Sequence, residues 1–366
     1  MLSVGIRSIA VEFPSVVRTN DYWRARYPDV LADAEQKTLA QVFNPTDPTA
    51  ASADFDTEMR PYLADVFRGT VERRALGPGE TTLLLEERAA RKALDAAGLA
   101  PADVDLMICC SFLPEHLGLG DAAFLAQRLG LTGSAWNVES TCSGALVALQ
   151  TASALVRAGE YRTVLVVVSC TYSRVMDETD TLSWFLGDGA GAYVVGEVPA
   201  GQGLLAVNSV HTGETCGAFR WDLDVHEGAP RIAVRAGTNS GRALRDTSSP
   251  VLRHCCLGAV EKAGLAISDI DFLVCNTPLA WYDRFAARAL RIDPARTLTT
   301  YPRYANIGPA LTTTNLYEAA STGMIKEGSL VLLFTVGTVS TAGAAVMRWG
   351  DVGLGPAPAV LAQPDP

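Results

Sequence analysis

The sequence lacks any uninterrupted apolar run approaching the roughly 18 residues that a bilayer-crossing helix needs, so no membrane span is expected. It begins MLSVGIRSIAVEFP, without a basic segment followed by a long apolar stretch, so no signal peptide is expected. Its basic residues are scattered and the formal net charge is −10, which leaves no electrostatic footprint for nucleic acid. The eight cysteines, at 109, 110, 142, 170, 216, 255, 256 and 275, show no paired C-x-x-C spacing. Structural zinc is therefore not expected, and the default is reduced thiols in a cytoplasmic protein.

What is present is ample apolar material: 366 residues, 48% hydrophobic and 19% charged, enough for two domains or one large double domain. TTLLLEERAARKALDAAG (81–98) reads as an amphipathic helix closed by glycine, followed by the strand LMICCSF. The same unit returns in LGAVEKAGLAISDIDFLVCNT: Ala-Gly-Leu-Ala at 97–100 recurs at 263–266, and LMICC recurs as FLVCN, at a constant offset of 166 residues. RAGEYRTVLVVVS (157–169) pairs in the same way with IKEGSLVLLFTVG (325–337), and GAGAYVV (189–195) with TAGAAVM (341–347).

Ordered echoes predict two copies of one α/β unit, over 1–198 and 203–350. Runs such as TVLVVVS suit strands buried on both faces, within a sheet covered by helices. Residues 20–66, with Asn-Pro-Thr-Asp-Pro-Thr at 44–49, break the pattern. They read as an inserted, partly helical excursion over the substrate entrance or as plain loop. The Pro-rich tail 351–366 reads as flexible.

WNVESTCSGALVALQTASALVRAG (136–159) is the most informative stretch. Cys142 falls at a turn that runs directly into a small-residue helix. There the helix dipole and free N–H groups favour thiolate. Placement alone leaves two readings open, a reactive thiol or a buried cysteine acting as a small hydrophobe. Partners are expected at second-half strand ends: Asn276 in LVCNTPLAWY and Asn306 in YPRYANIGPA, whose amides can polarise a thioester carbonyl. The competing reading of an Asn beside Gly is a turn residue. Gly337, in VGTVSTAGAA, is expected to offer a backbone N–H beside that of Cys142 as an oxyanion hole.

STCSGALVALQTA, FLGDGAGAYVV, YPRYANIGPA and VGTVSTAGAAVMRW resemble the thiolase superfamily, and within it β-ketoacyl-acyl-carrier-protein synthase III. GTVERRALGPGETTLLLEERAARKAL resembles the start of the same family, so the likeness spans about residues 69–349. It implies a five-layered αβαβα α/β fold of two duplicated halves, a homodimer, and ping-pong chemistry through an acyl-cysteine. It implies no metal and no redox cofactor. Acyl-CoA or an acyl carrier protein would be the donor, and a small-molecule or carrier-bound group the acceptor. By the same resemblance Cys142 is the nucleophile, Asn306 belongs to the catalytic triad, and Gly337 lies in the oxyanion loop. GDGAG (187–191) lacks G-x-G-x-x-G spacing and reads as the family's turn near the active site, not a dinucleotide loop.

The chain departs from the family at Asn276, where a histidine is expected. The four histidines, His116, His211, His226 and His254, do not fit that place by motif. Asparagine donates a hydrogen bond but cannot take a proton at neutral pH. Decarboxylative condensation is thereby put in doubt, whereas passing an acyl group to another nucleophile needs no enolate. Such a transfer needs a base, for which Glu115 and His116 are candidates acting in trans across a dimer, or else plain loop residues. Trp281, Phe219 and Arg220 are candidates for lining a pantetheine tunnel, and Arg73, Arg74, Arg220 and Arg303 for meeting a phosphate. The expectation is an acyltransferase in specialised, polyketide-type metabolism. The alternatives are a C–C condensing β-ketoacyl synthase and a non-catalytic dimer subunit.

Overall fold

A computed structural model describes residues 2–37, 52–226, 228–236, 240–337 and 341–359. The first part of the chain supplies β1 (Val4–Glu12), β2 (Val16–Thr19), β3 (Glu72–Ala75), β4 (Leu106–Phe112), β5 (Ser134–Asn137), β6 (Val164–Thr171) and β7 (Asp188–Glu197). The remainder supplies β8 (Gly203–His211), β9 (Phe219–His226), β10 (Ala229–Ala236), β11 (Phe272–Cys275), β12 (Leu330–Val336), β13 (Thr341–Arg348) and β14 (Gly353–Leu354). Two main sheets result, ordered β14-β1-β7-β6-β4-β5 and β11-β12-β13-β8. Both contain a parallel pair, β4–β6 or β11–β12, continued by an antiparallel neighbour, β7 or β13. These are the segments that echo one another in the sequence.

The layers follow from side-chain alternation along the strands. Ile108 and Val166 face inward to a middle layer, where Leu149 and Ala152 of helix Gly144–Arg157 and Leu311 of helix Ala310–Ser321 meet Val331 and Leu333 of the other sheet. Their odd-numbered neighbours Met107, Leu165 and Val167 face outward onto Leu85 and Ala89 of helix Thr82–Ala96 and Leu125 of helix Ala122–Leu129. On the far side, Leu273 and Leu332 pack under Cys256 of helix Ser240–Lys262 and Phe285 of helix Tyr282–Leu290. Helix, sheet, helix, sheet, helix is the αβαβα order. Small residues in GALVALQTASALVR let the middle layer lie between two sheets without forcing them apart.

Every residue of β6 is buried, as the apolar run TVLVVVS requires. The tail departs from expectation. Gly353 and Leu354 pair in parallel with Ser8 and Ile9, and Tyr317 Oη donates to the Gly355 carbonyl at 2.9 Å, so these residues belong to the first sheet. The excursion after residue 20 forms helices Asn20–Arg26, Pro28–Lys37 and Ala53–Met59. The last packs on the outer helices of the second sheet, with Phe55 5.3 Å from Phe285 and 6.1 Å from Trp281 between ring centroids. Residues 44–49 of this excursion lie outside the described residues. No helix of the described residues is long and apolar enough to cross a membrane.

Candidate active site

Beyond β5 the chain makes a single 3-10 turn, Thr141–Ser143, before helix Gly144–Arg157 begins. Thr141 holds φ at +48°, a strained value for a β-branched residue. Three contacts hold the turn there. Ser143 Oγ donates to the Thr341 carbonyl at 2.6 Å, the Ser143 N–H donates to the Ser140 carbonyl at 3.0 Å, and the Thr141 N–H donates to Glu139 Oε1. Gly337 lies flush on this turn. A Cβ there would strike Thr141 Oγ1 and sit 2.9 Å from the Ser140 carbonyl oxygen. Gly144 is equally confined, since a Cβ on it would overlap Cys110 Sγ and lie 3.5 Å from Pro309. Cys142 thus stands where the first-half helix, the β12–β13 connection and the turn around Asn306 converge.

The half-buried Cys142 is not the activated thiol that its place before a helix led us to expect. Burial pushes its pKa up to about 12, and the nearby Glu139 charge adds to this, against only its own backbone N–H. The α-helix begins two residues later, at Gly144, so the dipole acts through an intervening 3-10 turn.

Asn306 is fastened to the GDGAG turn. Its N–H donates to the Phe185 carbonyl at 2.9 Å, and its carbonyl accepts the Gly187 N–H at 3.1 Å. Its Oδ1 accepts the Gly308 N–H at 2.9 Å. An N–H requires an oxygen opposite it, so this bond fixes which way the amide faces. Nδ2 is left with no partner among the described residues. Gly308, at φ +56°, brings the turn close to the site: a Cβ there would lie 3.1 Å from Cys170 Sγ.

Asn276 is differently placed. It is 1% exposed, its Nδ2 donates to the Val336 carbonyl at 3.0 Å, and its Oδ1 accepts the Val336 N–H at 3.0 Å. Its own N–H donates to the Phe334 carbonyl at 3.1 Å. The side chain therefore extends the β11–β12 ladder by one rung, in the manner of a peptide group.

Several other expectations meet local chemistry of their own. The Gly337 N–H donates to the Thr341 carbonyl at 2.8 Å because the β12–β13 connection closes tightly, so it is not a free oxyanion donor. The next residues, 338–340, lie outside the described residues. Glu115 accepts the Thr82 N–H at 3.0 Å, capping helix Thr82–Ala96, and stands 3.6 Å from Arg174. His116 stacks at 3.9 Å on Phe124. Trp281 is completely buried between Phe55 and Tyr62, which places it under the excursion and not in a tunnel. Arg220 pairs with Asp222 at 3.0 Å on the exposed edge of β9, and Arg303 pairs with Glu318 at 2.6 Å. Arg73 is buried, donates to the Trp184 carbonyl and lies 4.2 Å over Trp23, so it is not presented to a phosphate. Burial brings its pKa down to about 9.

Two features were not anticipated. The first is an aromatic trio. Trp221, next to the expected Phe219 and Arg220, meets Phe112 at 6.0 Å and stacks with Tyr172 at 5.9 Å. Phe112 and Tyr172 are 5.8 Å apart, and a charge on Cys142 would be felt at both Cys170 and Tyr172. The signal was available, because SFL and SCTY end the two parallel strands that flank the nucleophile. The second is Glu139, three residues before Cys142. Protein on its inner side pushes its carboxyl above the usual carboxylate range, and the Thr141 N–H opposes this.

Comparison with known proteins agrees with this geometry. Residues 136–213 match the family model for 3-oxoacyl-[acyl-carrier-protein] synthase III, and residues 260–349 match the model for its C-terminal part. A curated relative, β-ketoacyl-[acyl-carrier-protein] synthase III of Agrobacterium fabrum, is 35% identical over 287 residues, covering 77% of this chain and 88% of the relative. The chain belongs to the synthase III family. The synthase III crystal structure from Thermus thermophilus superposes with a TM-score of 0.77 at 27% identity, over 95% of this chain and 99% of that one. A priming β-ketosynthase of a polyketide biosynthetic pathway shares the fold, with a TM-score of 0.77 at 20% identity over 96% of this chain and 97% of its own. As a synthase III homologue, the protein sits within an acyl-transferring and condensing group on the thiolase fold.

Proposed function

We propose that this synthase III homologue takes an acyl group from an acyl-CoA or acyl-carrier thioester onto Cys142 and passes it to an acceptor other than a decarboxylating malonyl thioester. The Cys142 sulfur attacks the thioester carbonyl, the carrier thiol leaves, and the acceptor then displaces the cysteine sulfur from the acyl group. Asn306 Nδ2 is the side-chain donor left free to hold a carbonyl oxygen during both steps. The observation that carries the reading is the state of Asn276. Both its amide oxygen and its amide nitrogen are engaged by Val336, and an amide has no basic nitrogen with which to manage the proton of an enolate mechanism. The likeness to a polyketide priming ketosynthase supports a role in specialised metabolism.

Intact-protein mass spectrometry with a panel of acyl-CoAs and acyl carriers tests the acyl-enzyme. An adduct is expected on the native protein and none on Cys142→Ala, and an adduct that survives the substitution removes the proposal. Malonyl thioester separates transfer from condensation. Neither CO₂ release nor a β-keto product is expected, and finding both would establish the condensing alternative.

A further inference from the structure

We propose that Glu139 is the proton acceptor and donor of this acyl transfer, in the place left by the missing imidazole. This rests on the acyl-enzyme reading above. Among the described residues, Glu139 is the one acidic side chain whose charge bears on Cys142. Its position is built, not incidental. Oε1 is held by the Thr141 N–H, the peptide immediately before the nucleophile, and the strained Thr141 backbone keeps that peptide turned toward the carboxylate. Oε2 has no partner among the described residues, so one oxygen anchors the group and the other is open to a proton. The residue lies on the exposed side of the turn, where an incoming acceptor can reach it.

Nothing else near the nucleophile meets the need. Asn276 and Asn306 carry no basic nitrogen, and the Glu115 carboxylate is taken by the Thr82 N–H and Arg174. The surrounding thiols of Cys110 and Cys170 and the Tyr172 phenol are all held neutral, chiefly by burial. A carboxyl crowded toward a higher pKa is also a stronger base than a free one.

The protons balance. In acylation, the Glu139 carboxylate takes the Cys142 thiol proton as sulfur attacks the thioester. The resulting carboxylic acid returns that proton to the departing carrier thiolate. In transfer, the carboxylate takes the proton of the acceptor O–H or N–H as the acceptor attacks the acyl carbon, and then delivers it to the Cys142 sulfur as the C–S bond breaks.

Glu139→Gln tests this cleanly, because the amide oxygen can still accept the Thr141 N–H while the proton-accepting oxygen is lost. Single-turnover acylation of Cys142 by acyl-CoA at pH 7 is expected to fall by about 100-fold. In the same variant, iodoacetamide alkylation should show the thiol titrating at lower pH than in the native protein, because a neighbouring negative charge has gone. The opposite directions of the two readouts are the signature. If Glu139 merely anchors the turn or burdens the thiol electrostatically, E139Q acylates as fast as the native protein or faster, and the assignment is overturned. Glu139→Asp, which keeps a carboxylate, should recover acylation in part, and its failing to exceed E139Q would also count against the base. Thermal unfolding of each variant establishes that it is folded. Native protein that forms no adduct at all ends the acyl-enzyme reading itself, whereas an acylating native protein with an unimpaired E139Q ends only the role of Glu139.

Discussion

Asn276 and Asn306 occupy corresponding stations near the same cysteine, yet the fold treats them as different kinds of residue. Asn276 spends its amide on the Val336 backbone and behaves as part of a strand. Asn306 gives up only its oxygen, to the Gly308 N–H, and keeps its NH₂ group for something else. Residue type alone does not make a functional group. What counts is the hydrogen-bonding capacity left over once the backbone has been satisfied.

The comparison can be broken most directly at Asn306. Asn306→Ala should slow release of the acyl group from Cys142 by about 100-fold or more, the effect typical of losing one preorganised donor. It should cost only about 1 kcal/mol of stability for the lost turn bond. Time-resolved mass spectrometry and urea denaturation read the two quantities separately, and unaltered release would erase the distinction between the asparagines.

Asn276→Ala should show the reverse pattern. It leaves the Val336 N–H and carbonyl unpaired beside a buried site, a loss of about 2–3 kcal/mol in unfolding free energy. Acylation per folded molecule should stay near the native value. A stable variant with ruined acylation would move Asn276 into the chemistry.

The cysteine supplies the next test, since its thiol is pushed up from 9.0 to about 12. Alkylation by iodoacetamide should rise about tenfold per pH unit through pH 10 without reaching a plateau. The folded pKa is the higher one, so the contribution of this group to stability is full below pH 9 and lost as pH climbs toward 12. The smallest effect is expected at Glu115. Glu115→Gln should cost about 1 kcal/mol or less through the weakened helix cap, with acylation unchanged. A large drop in acylation there would revive it as a base.

Much of this architecture is readable in the chain itself. TVLVVVS and SLVLLFTVG are apolar on both faces because helices cover both sides of their strands. The offset between the halves places their parallel strands correctly. Asn306 is legible because Asn-Ile-Gly after a short helix permits few backbones, and the structure uses its oxygen as such turns do. The pairing of Asn276 is not legible, because it depends on how β11 registers against β12, a relation between segments 60 residues apart. Gly337 misled for a similar reason: glycine is required there by the crowding of Thr141, not by a need to offer its N–H. Glu139 was passed over because a lone acid in WNVESTC resembles any solvated polar residue. Only its fold-back onto the Thr141 peptide reveals it.

The high pKa of Cys142 has one more consequence. Oxidants and stray electrophiles react with thiolates and largely ignore thiols. A nucleophile kept protonated at rest is therefore shielded from peroxide without a lid or a reducing partner. It becomes reactive only when a bound thioester and a nearby base act on it together, so selectivity for substrate and resistance to chemical damage come from the same buried sulfur.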